Sequence, residues 1–327
     1  MPTISFSSAK LWRRCHKAWE YRYEERIQKK RRAVPLVRGQ ILGEMLDARA
    51  QPQAKKDPAR ILRKYEREFA KLFMEEREKY GDVIGDIRRL FEGYERHYAN
   101  EKLEYLGVEE FIAIDLMKNV RFIGYVDKRV KDEQGRIFLM DHKSHRSIPD
   151  EDQRFSDLQK VFYIWAWNET NAMKQATGFI WDYIRTKAPT IPDQLKSGEL
   201  TQRANIDTDY WTYLGEIKRL KLDPKPYMEI LARLKKMPSR TYSRVPMPKP
   251  SNVLIQNVIA DLKQTAQEIH GTRKVSNDRN MTYLCPSTCE YFSVCRADVS
   301  GMDGKFVRKA EYEEREPSEH EEAEEEN

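Results

Sequence analysis

The sequence predicts an α/β protein in which a sheet is flanked by helices. Three observations carry this expectation. Runs of β-formers at 107–114, 120–130 and 136–141 are separated by charged or Gly-containing breaks. Residues 155–170 place Leu158, Val161, Phe162, Ile164 and Trp165 in a helical pattern, and 176–183 reads as a fourth strand. Three strands, a helix and another strand form a small α/β core.

The flanks are helical. Residues 7–23 open with serines suited to an N-cap, and Trp12, Cys15 and Trp19 recur at helical spacing, which puts Cys15 on the buried stripe. Residues 38–46 start another helix. The stretch 57–106 reads as long charged helices, with Pro58 in a first turn and Ile61, Tyr65, Phe69 and Phe73 on one face. Residues 188–250 are rich in proline and hold a charged helical stretch at 209–236, expected as an insertion around the core. A helical pattern resumes at 252–271, and the acidic end beyond Lys309 is expected to be disordered. The expected division is a helical region over 1–106, the core over 107–187, a peripheral insertion over 188–250, a helix and cysteine-bearing segment over 251–310, and an acidic tail over 311–327.

Charge narrows the function. Charged residues make up 34% of the 327, against about 25% in an ordinary domain. The tail from Glu311 carries ten acids and one arginine, a net of −9, so the overall +6 leaves +15 on residues 1–310. A body that basic suits a polyanion such as nucleic acid. Lys29, Lys30, Arg31 and Arg32 form a compact knot of candidate phosphate contacts, and Arg185 and Lys187 follow the last core strand. No apolar run approaches the ~20 residues of a membrane span, and the N-terminus lacks a signal-peptide core, so a cytoplasmic setting is expected. There is no Gly-rich Walker loop, which argues against an ATP-driven motor.

The hairpin at 122–143 organises the rest. An apolar run ends at Asp127, Glu133-Gln134-Gly135 make the turn, and a second run delivers Asp141, His142 and Lys143. Asp141 and Lys143 are two apart and leave the same strand face, while His142 points the other way, so its backbone carbonyl is the better candidate ligand. Oxygen ligands suit magnesium or manganese, and a lysine beside them can orient water or stabilise charge on a phosphoryl oxygen. The plainer reading is a surface hairpin with an ion pair worth ~0.2–1 kcal/mol. Gln159 and Tyr163 share a face of the next helix. Of Glu109 and Glu110 on the first strand, only one can face the same site.

Cys285, Cys289 and Cys295 lie within eleven residues, and Cys15 is the remaining cysteine of the chain. Thiolates select zinc or an iron–sulfur cluster, either of which would staple the first helix to the last structured segment, and the plainer reading is unligated core cysteines.

Taken in this order, the motifs resemble the PD-(D/E)XK nuclease superfamily, in the RecB-like branch that includes iron–sulfur CRISPR-associated nucleases, the AddB nuclease domain and phage-type exonucleases. The likeness rests on residues 7–23 with Cys15, Gly124-Tyr125-Val126-Asp127, Asp141-His142-Lys143, Gln159 with Tyr163, and the terminal cysteine trio. It implies a restriction-endonuclease-like core with a central mixed sheet flanked by helices. Asp127, Asp141 and the His142 carbonyl would bind Mg2+ or Mn2+, Lys143 would be the catalytic lysine, and Gln159 and Tyr163 would lie near substrate. Cys15, Cys285, Cys289 and Cys295 would hold a [4Fe–4S] cluster, with Zn2+ as the alternative.

The family's usual Gly-x-x-x-His-Glu becomes Gly39-x-x-x-Gly43-Glu44 here, so Glu44 or a first-strand carboxylate is expected to stand in for the histidine. The cysteine spacing is Cys-x3-Cys-x5-Cys, where Cys-x2-Cys-x5-Cys is commoner. The activity implied is metal-dependent exonucleolytic cleavage of DNA at free ends, often single-stranded, beside recombination, repair or replication proteins, in a host cytoplasm if phage-encoded. The alternatives are a decayed DNA-binding accessory protein and a structure-specific endonuclease or CRISPR-adaptation trimming nuclease.

Overall fold

The computed structural model describes residues 1–51, 57–271 and 278–315. Its strands are β1 (Thr3–Ser5), β2 (Ile27–Lys29), β3 (Glu104–Met117), β4 (Val120–Lys131), β5 (Ile137–His145), β6 (Gly178–Arg185), β7 (Tyr242–Pro248) and β8 (Tyr312–Glu314). All but β2 and β8 join one mixed sheet in the order β1-β4-β5-β6-β7, with β3 also paired to β4.

The expected hairpin is β4–β5, antiparallel from Lys128↔Met140 to Lys131↔Ile137. Its turn is built locally. Asp132 Oδ1 accepts the backbone N–H groups of Gln134 and Arg136, and Gly135 takes a φ of 76° that a side chain would resist. Along β4, Val120, Phe122, Val126 and Val130 are buried at a period of two, which fixes the strand's register.

The central strand β4 has three neighbours. β3 runs along one edge, so β1 and β5 must share the other. β1 is parallel to it at Arg121–Ile123, and β5 takes over only at Lys128. The stretch Gly124-Tyr125-Val126-Asp127 lies between those two ladders. This gap positions the site.

Helices α1 (Phe6–Arg14) and α2 (His16–Trp19) precede the sheet core, then α3 (Val34–Ala50), α4 (Pro58–Ala70), α5 (Met74–Tyr80) and α6 (Val83–His97) form a helical layer. α7 (Glu151–Ser156) and α8 (Gln159–Thr170) connect β5 to β6 in parallel. α8 is apolar on most sides because it is buried on most sides. Val161, Phe162 and Ile164 pack with Phe122, Phe179 and Trp181 in the main core. Truncating Phe162 to Ala would cost about 3–5 kcal/mol. α9 (Tyr210–Arg219) and α10 (Met228–Lys236) make a small lobe with its own apolar cluster. α11 (Asn252–Gly271) packs on α1 and α8, and α12 (Cys285–Thr288), α13 (Phe292–Val299) and α14 (Gly304–Glu311) close the chain. Among the described residues no helix is long and apolar enough to cross a membrane.

Several expectations change. The first helix does not run through residue 23. Ser5 caps it, and it breaks at Cys15, which is extended (φ −169°, ψ 115°), before α2 and a π-helical turn at Glu20–Glu24. The expected insertion over 188–250 ends in a sheet strand, because β7 pairs with β6 from Gly178↔Pro248 to Ile184↔Tyr242. Phe73 is exposed and stands at the start of α5, not on the apolar face of α4. The acidic tail is ordered at its start, where Tyr312 is buried and β8 pairs antiparallel with β2. Residues 316–327 lie outside the described residues.

Candidate active site at the sheet gap

The gap between β1 and β5 brings together the side chains expected from the hairpin. Asp127 Oδ2 accepts the backbone N–H of His142 at 2.8 Å, so a carboxylate bridges the place where the β4–β5 ladder stops. Asp141 is buried, with Lys143 Nζ 2.7 Å from its Oδ2. Gln159, at the start of α8, closes a ring. Its Nε2 donates to Asp141 Oδ1 at 2.8 Å, and its Oε1 accepts from Lys143 Nζ at 2.7 Å. The two contacts fix which way the amide points. Tyr163, one turn on, lies against β4 so closely that a Cβ at Gly124 would sit 2.8 Å from its ring. Gly124 is therefore a packing requirement of the site.

The electrostatics are those of crowded carboxylates. Burial and the nearby Asp127 charge push Asp141 up to about 7, against the pull of Lys143. Burial presses Lys143 toward neutrality, but Asp141, Asp127 and Asp157 outweigh it and its pKa lies above the ordinary value. The two partners thus respond unequally. The site holds more negative charge than one ammonium balances.

A cleft of about 430 Å³ opens beside this ring, with α3 as its outer wall. Asp127, Lys143, Glu109 and Asp47 line it, and Gly39 and Gly43 leave the α3 wall bare. Burial, then Asp127 and Asp47, raise Glu109 to about 7. Glu109 also has a φ of 53°, in the left-handed region rarely used by a non-glycine residue, inside a strand. Glu110 turns away and pairs with Arg129 through two 2.8 Å contacts.

Glu44 does not line the cleft. Its Oε1 accepts from Tyr65 on α4 at 2.5 Å. The α3 carboxylate that does line the cleft is Asp47, one turn beyond Gly43, whose Oδ1 is 2.7 Å from the buried Lys128 ammonium. Asp47 was not expected from sequence. The only signal for it is the i+4 spacing from Gly43, which keeps it on the same helix face.

The other expected residues fall as follows. The His142 imidazole points away from Asp141 and Lys143, toward Asp182. Lys29 pairs with Glu311, Lys30 Nζ donates to the Lys309 carbonyl at 2.7 Å, and Arg31 is 2.9 Å from Glu76. Arg32 reaches Gln40 at the cleft rim at 2.8 Å. Arg185 and Lys187 both pair with Asp207, whose pKa is lowered to about 2 by Arg185 first. None of these six basic residues lines the cleft itself.

All four cysteines line a second cavity of about 260 Å³, with Arg14, Tyr21, Arg279 and Tyr291 around them. The break at Cys15 brings that thiol to the C-terminal trio. Burial raises the Cys289 and Cys295 thiols.

Among the described residues, no three His, Cys, Asp or Glu side chains stand close enough to enclose a metal ion as they lie. The donors nevertheless suit a hard divalent cation. Asp127, Glu109 and Asp47 share one cleft, Asp141 adjoins it, and Asp141 and Glu109 are raised first by burial and then by the neighbouring Asp127 charge, which a cation would offset.

A mixed sheet flanked by helices, with an Asp…Asp-x-Lys set at the gap between two strands, is the arrangement of a restriction-endonuclease-like nuclease core. The family model of the PD-(D/E)XK nuclease superfamily matches residues 3–296, and the chain belongs to that superfamily. No curated protein matches it. Among solved structures, it is similar to SSO0001 at 12% identity, covering 80% of this chain and 84% of that one with a TM-score of 0.31. It is also similar to a protein described as "putative exonuclease" from Eubacterium rectale at 12% identity, covering 78% and 87% with a TM-score of 0.35.

Proposed function

We propose that this nuclease is a metal-dependent DNA exonuclease that hydrolyses phosphodiester bonds at free ends, single-stranded ends foremost, in recombination, repair or replication. The observation that carries the reading is the ring of Asp141, Lys143 and Gln159 beside Asp127, next to one cleft that Asp127 and Lys143 line. Asp127, Asp141 and the His142 carbonyl would hold Mg2+ or Mn2+, with Glu109 and Asp47 alongside. When bound, such a cation lowers the pKa of water and offsets charge on a phosphoryl oxygen.

The chain's own residues supply the rest. Lys143 stays protonated among carboxylates, and its ammonium can turn from Asp141 toward a phosphate oxygen or the attacking water. Gln159 holds Lys143 and Asp141 in one geometry, so the lysine is oriented before substrate arrives. The basic body draws DNA toward the cleft.

We further propose that the four thiols around the second cavity, of about 260 Å³, hold a structural [4Fe–4S] cluster, with a single zinc ion as the alternative. The cluster would tie the Cys15 break to α12 and α13.

End-labelled linear DNA, single- and double-stranded, incubated with Mg2+ or Mn2+ beside closed circular DNA tests the reading. Exonuclease action shortens the linear strands from their ends and spares the circle. Binding without hydrolysis would identify an accessory protein instead.

A further inference from the structure

Behind the cleft, on the face of β5 opposite Asp141 and Lys143, three neighbouring strands carry a row of charge. The registers set His142 beside Asp182 and Asp182 beside Arg244. Asp182 is fully buried, and its Oδ2 lies 2.9 Å from His142 Nδ1 and 3.3 Å from Arg244 Nε. The same oxygen accepts the Tyr94 hydroxyl from α6. Arg244 goes on to pair with Glu101, and Glu101 lies 2.8 Å from Arg49 on α3. Arg49 is two residues beyond Asp47. One chain of polar contacts, buried at Asp182 and partly exposed toward Arg49, therefore joins the residue between Asp141 and Lys143 to the helix that brings Asp47 to the cleft.

This row is a poor stabiliser. Asp182 Oδ1, Arg244 Nε and both ring nitrogens of His142 are buried without a well-aligned hydrogen bond, the 2.9 Å approach of His142 included. Desolvating such charges costs several kcal/mol per ion, and apolar residues of similar volume often serve stability as well or better. In some proteins a buried ionic row instead selects one arrangement of the elements that carry it.

We propose that Asp182 is a positioning residue for the metal site. Through His142 it fixes the peptide whose carbonyl is the candidate metal ligand, and through Arg244, Glu101 and Arg49 it sets the distance of that peptide from Asp47. The inference rests on the nuclease reading above and adds to it a support outside the cleft.

The test is Mn2+ binding to the full chain, followed by the electron paramagnetic resonance of free Mn2+. The site is defined as the binding component that Asp127→Asn removes. His142→Leu leaves Asp182 paired with Arg244 and Tyr94, so the row keeps its charge balance and the protein its fold. It is expected to weaken that component about tenfold or more, the usual cost of losing a support behind a metal ligand. Its metal-free thermal midpoint should stay within about 4 °C of the parent. His142→Asn, whose amide nitrogen falls near the position of Nδ1, should recover most of the affinity. Wild-type Mn2+ affinity in folded His142→Leu, or no recovery in His142→Asn, would overturn the proposal. A parent protein with no component removed by Asp127→Asn would overturn the metal reading itself and this inference with it, a result distinguishable from the first.

Discussion

Asp127 Oδ2 accepts the His142 backbone N–H at 2.8 Å, across the interval where β4 and β5 no longer pair. A side chain thus anchors the strand that carries Asp141 and Lys143, and its charge also acts on Asp141. Asp127→Asn keeps an acceptor for that N–H and removes only the charge. It should fold with near-parent stability and lose at least about 10²–10³-fold in kcat/KM. Asp127→Ala should lose activity and, by leaving the N–H unpaired, a further 1–3 kcal/mol or so of stability in urea unfolding.

The carboxylates also predict how metal-free stability varies with pH. Asp141 and Glu109 each lie near 7 in the fold, raised by burial and by neighbouring carboxylates. Groups raised above their unfolded values bind more protons in the native state, so stability falls as pH rises from about 4 toward 7 and levels off above. The part of the melting profile due to these two groups should therefore decline from pH 5 to pH 8 in chelator. Millimolar Mg2+ should restore it at pH 8. Asp141→Asn in a Glu109→Gln background should flatten the decline, and an unchanged slope would count against the crowding.

The strand half of the site was legible because alternation and a Gly turn fix a hairpin, and a hairpin fixes which side chains share a face. The same logic separated His142 from its neighbours. Asp47 was not legible, since an acid on a charged helix reads as solvated surface until Lys128 is seen buried against it. β7 was hidden by Pro246 and Pro248, which argue against a central strand but are tolerated at the sheet edge that β7 occupies. β1 is three residues long, too short for any period to show. The break at Cys15 was missed because Trp12, Cys15 and Trp19 keep helical spacing across it.

Gly43 offers a gain-of-function prediction. A Cβ there meets nothing within 4 Å, and the residue lines the cleft a turn ahead of Asp47. Gly43→His puts an imidazole on the bare wall and replaces a poorer helix former, worth roughly a few tenths of a kcal/mol of stability. It should tighten Mn2+ binding and raise the thermal midpoint. A weaker metal site in a folded variant would mean that Asp47 and Glu109 already fill the place.

The cysteine cavity predicts coupled losses. Cys15→Ser or Cys295→Ser should lower bound iron and broad visible absorbance in anaerobically purified protein, and should lower the thermal midpoint. Arg14, Tyr21 and Tyr291 share that cavity, so the loss extends to contacts between the π-helical turn at Glu20–Glu24 and the start of α13. Stoichiometric zinc in colourless parent protein would exclude the cluster.

The most direct measurement is the cleavage rate of end-labelled single-stranded DNA by the parent protein and by Lys143→Ala, with DNA binding measured in parallel. The metal-dependent mechanism predicts Mg2+- or Mn2+-dependent shortening from the ends by the parent. It predicts a loss of about 10²-fold or more in Lys143→Ala with DNA affinity retained. Equal cleavage by the two proteins, or cleavage that persists in chelator, would contradict it.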